Sequence, residues 1–288
     1  MRNIGEFELD RVVESEEPLI APSEFFPDST PDVFEEHAGW LQPDHVDAQS
    51  GHLIICVQSY IVRTPRHTIV VDACVGNDKQ RDVFPGWHMR QGPFLEDMAA
   101  AGVHVEEVDF VLCTHLHTDH VGWNTRLIDG RWVPTFPNAR YIFARREYKF
   151  WEARNRAAIG QGNPTPFADS ILPVMEAKQA VLVDMDHQIE DGVWLEPAPG
   201  HTEGNVVVNL RSGDHTAVLS DDVIHHPVQL VHPDWSSRAC EDKAASQATR
   251  LELIERVADT DTLLVPAHFA SPSVGHIVRR GEGFGYRN

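Results

Sequence analysis

Only four cysteines occur in 288 residues, and Cys56, Cys74, Cys113 and Cys240 lie far apart with no Cys-x-x-Cys pair among them. That spacing excludes a dense disulfide framework and a thiolate zinc site. Cys56, Cys74 and Cys113 sit in or beside apolar, strand-like runs, where a thiol behaves as a small core residue. Any metal must therefore be held by histidine and carboxylate. Basic residues are also scarce, 24 Lys and Arg against 44 Asp and Glu, for a formal net charge of −20. Such a surface repels phosphate backbones and anionic bilayers, which excludes nucleic acid and membrane as partners and leaves a small-molecule substrate. No apolar run approaches the roughly 18 residues needed to span a bilayer, and "MRNIGEFELDRVVESEE" lacks the apolar stretch of a signal peptide, so a cytoplasmic location is expected. A Gly-x-Ser-x-Gly elbow is missing as well, so no serine nucleophile of that kind is expected.

What is present is a chain with 42% hydrophobic residues, enough for a substantial core. Residues 1–50 are acidic and proline-bearing; "PSEFFPDSTPDVFEEHAGWLQPDH" reads as an irregular arm with a short helix, packed on a domain spanning 51–288. From Gly51 the pattern changes. "HLIICVQSYIVR" and "HTIVVDACVG" are β-rich runs around "TPR"; a helical segment stops near Gly102, and the apolar strand "VDFVLC" follows. The second half repeats the alternation. Strands are predicted at "ARYIFA", "AVLVD", "VWLEPAP", "NVVVNL", "TAVLSDDV" and "TLLVPAHF", helices at "RREYKFWEARNRAA" and "SQATRLELIERVAD". Between them "IGQGNPTPFADSILPVMEAKQA" is the kind of Gly/Pro-interrupted insertion that forms a lid or pocket wall. Two similar α/β halves imply sheets packed on each other with helices outside.

The polar clusters share one regularity of position. Asp72 follows "TIVV", the run His115 to His120 follows "VDFVLC", His201 follows "LEPAP", Asp222 follows "AVLS" and His268 follows "LLVPA". Loops at strand ends carry function on a rigid scaffold, and these five can converge on one point. In an extended loop alternate side chains share a side, so His115 and His117 reach one ion. With His201 they make a three-histidine set with an open fourth position, the pattern of catalytic zinc. Asp119, His120 and His268 make a second, harder set, and Asp222 can bridge the two with the ions about 3.5–4 Å apart. Asp72 is positioned to orient a ligand imidazole. Trp123, three residues past His120, is the aromatic expected near the metals as a substrate-binding residue.

"THLHTDH", "PGHTEGN", "LSDDV" and "PAHF" occur in the order and rough spacing of the metallo-β-lactamase superfamily, which the chain resembles from about Gly51 onward. The resemblance implies an α/β fold, an αββα sandwich of two mixed sheets flanked by helices, with a dinuclear site at its edge. It carries metal roles onto His115, His117, Asp119, His120, His201, Asp222 and His268. Where the family usually has Gly-Asp this chain has Asp221-Asp222, and the following "VIHHP" favours Asp222 as the bridge. "DHVGWN", "RWVPTFPNARYIFARREYKFW" and "DDVIHHPVQL" are most similar to the branch holding methyl parathion hydrolase and lactonase-like enzymes. Quorum-quenching lactonases carry a tyrosine three residues after the bridging aspartate; here His225 stands there. The change removes the phenol that orients a lactone carbonyl in those enzymes and argues against homoserine lactones as the specific substrate.

The chemistry expected is hydrolysis by a hydroxide shared between two divalent cations, zinc in the first instance, with Mn, Co or Fe accepted by the same donors. Asp119 is expected to relay a proton to the leaving group, and His225 to act as a catalytic and substrate-binding hydrogen-bond donor. The leading expectation is a carboxylic ester or lactone hydrolase. An organophosphate triesterase would use the same attack, and a β-lactam hydrolase ranks below both. From a different class, a flavodiiron-type iron oxidoreductase would carry glutamate where His117 stands, and a catalytically silent metal-binding protein would not need so complete a ligand set. A homodimer is the expected assembly on general grounds of symmetry.

Overall fold

Strands buried on both faces read as continuous apolar runs because no side chain meets water. Thr68–Val71, Phe110–Cys113 and Arg140–Ala144 bury most of their residues in such runs, Ala180–Val183 at the sheet edge is half-buried up to Val183, and in the computed structural model the four lie side by side and parallel. The structure describes residues 1–159, 165–281 and 283–287. The four strands continue a sheet ordered Arg2–Ile4, Phe7–Ile20, Leu53–Arg63, Thr68–Val71, Phe110–Cys113, Arg140–Ala144, Ala180–Val183. The "TPR" segment closes an antiparallel hairpin in which Arg63 pairs with Thr68. Helix Phe94–Ala100 ends before Gly102, whose φ of 74° supplies the left-handed turn.

The chain forms two compact units, one of Met1–Glu14 with Val57–His187, the other of Ser15–Cys56 with Gln188–Asn288. Phe7–Ile20 is a fourteen-residue strand of the seven-stranded sheet. Phe7, Leu9, Val12 and Ile20 are buried along it while most residues between them are not. The helix expected after it is three short helices, Pro22–Phe25, Pro31–Glu36 and Ala38–Leu41.

In the first unit, residues 160–164 of the expected lid lie outside the described residues. The rest is packed rather than lid-like. Helices Pro166–Ser170 and Leu172–Glu176 bury Phe167 and Val174, with Ile171 buried between them. Asp169 takes both guanidinium nitrogens of Arg81 at 2.7 and 2.8 Å and lies 3.7 Å from the Lys79 ammonium. Burial pushes Lys79 down to about 7, against the opposing pull of Asp169.

The second unit holds a sheet ordered Gln188–Glu190, Val193–Pro197, Val206–Ser212, His215–Asp221, Leu263–Pro266. Its neighbours run antiparallel except the last pair, which is parallel. Helix Lys243–Val257 starts where the Asp242 side chain accepts from Ala245 N at 3.0 Å. It buries Leu253, Ile254 and Val257 in a core with Val207, Val218, Leu264 and Phe269. In each unit the expected site residues follow strand ends: Asp72 after Thr68–Val71, His115 after Phe110–Cys113, Asp222 after His215–Asp221 and His268 after Leu263–Pro266.

Candidate functional site

In the first unit, His115 and His120 are buried and His117 is half-buried. His115 Nε2 lies 2.9 Å from His117 Nδ1, the His115 and His120 rings are 4.1 Å apart, and His120 Nε2 is 3.9 Å from an Asp119 oxygen. All four expected ligands of this unit thus share one loop end. Asp72, at a φ of 59°, accepts from Thr114 N and Thr114 Oγ1 at 2.9 Å each and faces His120 Nδ1 at 3.2 Å. That contact fixes which nitrogen of His120 remains for a ligand.

Backbone contacts lock the loop in place. Gly122 N donates to Cys74 O at 2.7 Å, Trp123 N to Ala73 O at 2.6 Å, and Ala73 N to His120 O at 2.7 Å. A Cβ on Gly122 would meet Val75 O at 1.8 Å. Gly122→Ala is therefore expected to cost about 3 kcal/mol, the upper end of ordinary overpacking, read as a lower denaturant midpoint. Trp123 is turned into the same packing. It is 4% exposed, its indole N–H donates to Glu14 Oε1 at 2.7 Å and its ring stacks on Phe94 at 5.5 Å. The one-turn helix Gly122–Asn124 carries the residue, and the indole faces these partners. Glu14 also accepts from Val75 N and Gly76 N, and burial raises its carboxyl above the usual range despite these bonds.

In the second unit three imidazoles surround one carboxylate. Nε2 of His268 lies 2.9 Å from Asp222 Oδ1, and Nε2 of His201 and of His225 lie 3.0 and 3.3 Å from Asp222 Oδ2. All four residues are buried. His268 Nδ1 is 2.8 Å from Cys56 O, so it donates there and leaves Nε2 for a ligand. His201 Nδ1 is 3.5 Å from Cys240 Sγ. Gly200, at a φ of 128°, precedes His201 where a Cβ would meet Ser246 N at 2.1 Å, and Asp221 takes a φ of 49° just before Asp222.

Burial alone would push His201 down, but the charge and hydrogen bond of Asp222 raise it to about 10. Burial wins at His225, which is lowered to about 4 against the same carboxylate. One imidazole of the pair therefore carries the proton and the other is neutral. Burial raises the Cys240 thiol, while its hydrogen bond to His201 and the charge there bring it down to about 7.

These donors suit divalent cations. Two imidazole nitrogens face each other at His115 and His117, and three face Asp222. Without a cation each cluster needs a shared proton; a divalent ion takes the lone pairs of neutral imidazoles and the carboxylate together. Metal uptake must then displace the proton that Asp222 holds on His201. Below pH 10 the apparent affinity is expected to rise by about tenfold per pH unit from this group. Calorimetry in buffers of different ionisation enthalpy reads the released proton directly; zero release at pH 7.5 would contradict the assignment. Glu14, Glu147 and Cys240 were not legible as site neighbours in the sequence. Glu147 stands four residues before Trp151 in the sequence, and its burial appears only in the structure.

The sequence profile of the metallo-beta-lactamase superfamily matches residues 57–268. An N-acyl homoserine lactonase from Bacillus sp. is 25% identical over 202 residues, covering 63% of this chain and 71% of its own. Among solved structures, the hydrolase AbOPH of the beta lactamase superfamily superposes with a TM-score of 0.80 at 20% identity, covering 99% of this chain and 95% of its own. AidC, a dizinc quorum-quenching lactonase bound to its product, gives 0.76 at 21% identity with coverage of 99% and 95%. The α/β fold of mixed sheets flanked by helices is thus shared with these structures. Among the described residues no helix is long and apolar enough to cross a membrane.

Proposed function

Because the chain belongs to the metallo-β-lactamase superfamily, we propose that it is a dinuclear-metal hydrolase of carboxylic esters or lactones. The observation that carries this reading is the convergence of His201, His225 and His268 on Asp222, each with a ring nitrogen facing the carboxylate. In this reading His115, His117, Asp119 and His120 of the first unit and His201, Asp222 and His268 of the second are the residues that would hold the cations. Zinc suits so many imidazoles; Mn, Co and Fe accept the same donors. When bound, the pair of cations acidifies a water to a pKa of about 7 and polarises the oxygen of the scissile bond.

The chain's own groups do the rest. Asp119, half-buried beside His120, takes the proton of the attacking water and returns it to the leaving oxygen. His225 is neutral at pH 7, with Nε2 facing Asp222, and in this reading its imidazole offers the substrate oxygen a hydrogen bond. Its ring also meets that of Phe25 edge-on at 5.4 Å, so an apolar wall adjoins the donor. Support for an ester or lactone bond comes from the lactonase relative; His225 in place of tyrosine points away from homoserine lactones toward other acyl substrates. A panel of aryl esters, aliphatic lactones, homoserine lactones, organophosphate triesters and a β-lactam tests the reading. Highest kcat/KM on an ester or non-homoserine lactone supports it, and preference for a phosphotriester or a β-lactam overturns the bond assignment.

A further inference from the structure

Helix Arg145–Ile159 carries its charges outward, with Arg145, Arg146, Lys149, Arg154 and Arg156 exposed, yet Glu147 in its first turn is 1% exposed. A carboxylate so far from water needs hydrogen-bond donors in fixed places. Glu147 Oε1 accepts from Leu116 N at 3.0 Å and from the Trp151 indole N–H at 2.6 Å. Leu116 is the residue between His115 and His117. Its side chain is 2% exposed, so its buried side chain and its N–H are both anchored, and the two flanking imidazoles must leave the opposite side of the strand end. Trp151, one helical turn beyond Glu147, meets His117 edge-on with ring centres 5.3 Å apart and planes at 75°. His117 is the half-buried member of the motif's three histidines, so it has the least packing to hold its ring and the most to gain from that indole.

We propose that Glu147 is a positioning residue for the metal pair His115 and His117, fixing through a single oxygen both the peptide between them and the indole that braces His117. The inference rests on the metal-centre reading above. Glu147 touches neither substrate nor metal; it removes the conformational cost of bringing two imidazoles to one ion, and its loss falls on metal affinity.

The test measures zinc affinity by chelator competition, and the absorption spectrum of the cobalt-loaded protein, in wild type and three variants. Glu147→Gln keeps an oxygen that accepts both N–H groups, while Glu147→Leu keeps the size and removes the acceptor. Glu147→Asp keeps the charge but withdraws it by one methylene. The expected result is Gln within about threefold of wild type and Leu and Asp weaker by about 10–100-fold at one of the two metals, with an altered cobalt spectrum. A purely structural role would instead lower the melting temperature of the metal-free protein and leave the affinity of the folded fraction unchanged. Wild-type affinity in Glu147→Leu overturns the inference, as does equal weakening in Gln and Leu; if Leu does not fold, wild-type affinity in Asp overturns it. A wild-type protein that takes up no metal overturns the metal-centre reading itself, and the two failures are thereby distinct.

Discussion

Asp222→Ala is expected to lower kcat/KM on the best substrate by on the order of a thousandfold or more, the scale on which members of one catalytic unit fail. Three imidazoles lie within 3.3 Å of this one carboxylate. Its removal also changes the metal-free protein in a way that can be checked separately. His201 is raised to about 10 by Asp222 against a burial that lowers it. Once the carboxylate is gone, burial is opposed by Cys240 but no longer by Asp222, so the His201 pKa is expected to fall. In the metal-free wild type the raised His201 contributes stability that is fully present below the unfolded pKa of 6.5 and is lost as pH rises toward 10. Asp222→Ala is expected to flatten that loss between pH 6.5 and 10, measured as denaturant midpoint against pH. An unchanged slope would contradict the pairing, and near-normal turnover would remove Asp222 from the site.

His117→Ala should produce a comparable loss of turnover for a different reason. This histidine is half-buried, so its truncation opens little cavity and costs the fold little. It removes the nitrogen that lies 2.9 Å from His115 Nε2. Metal content is expected to fall from two ions per chain to about one, with turnover down on the order of a thousandfold and the melting temperature of the metal-free protein close to wild type. Elemental analysis of the purified variant beside its kinetics decides this. A variant with normal activity or two tightly held ions would refute the first metal position.

The contrast between these two residues reflects what a sequence exposes and what it hides. The strands behind the ligand loops were legible because parallel strands leave unbroken apolar runs such as "FVLC" and "RYIFA". The proposed ligands stand out because each follows such a run and the motif compresses four of them into residues 115–120. Strand Phe7–Ile20 was not, because its four buried apolar residues are spread among Glu, Asp and Arg and satisfy no simple period. Positions that act through another residue were hidden for a further reason. Glu147 meets its backbone donor 31 residues away, Glu14 meets Val75 across 61, and Cys240 meets His201 across 39. Local pattern carries no record of contacts at that separation.

The metal content of the purified protein, followed through chelation and reloading, is the most direct test of the central claim. The account predicts two divalent ions per chain, hydrolysis that vanishes when they are stripped, and recovery in proportion as zinc or another divalent ion returns. A protein that hydrolyses its best substrate undiminished after both ions are removed, or that binds none, would contradict it.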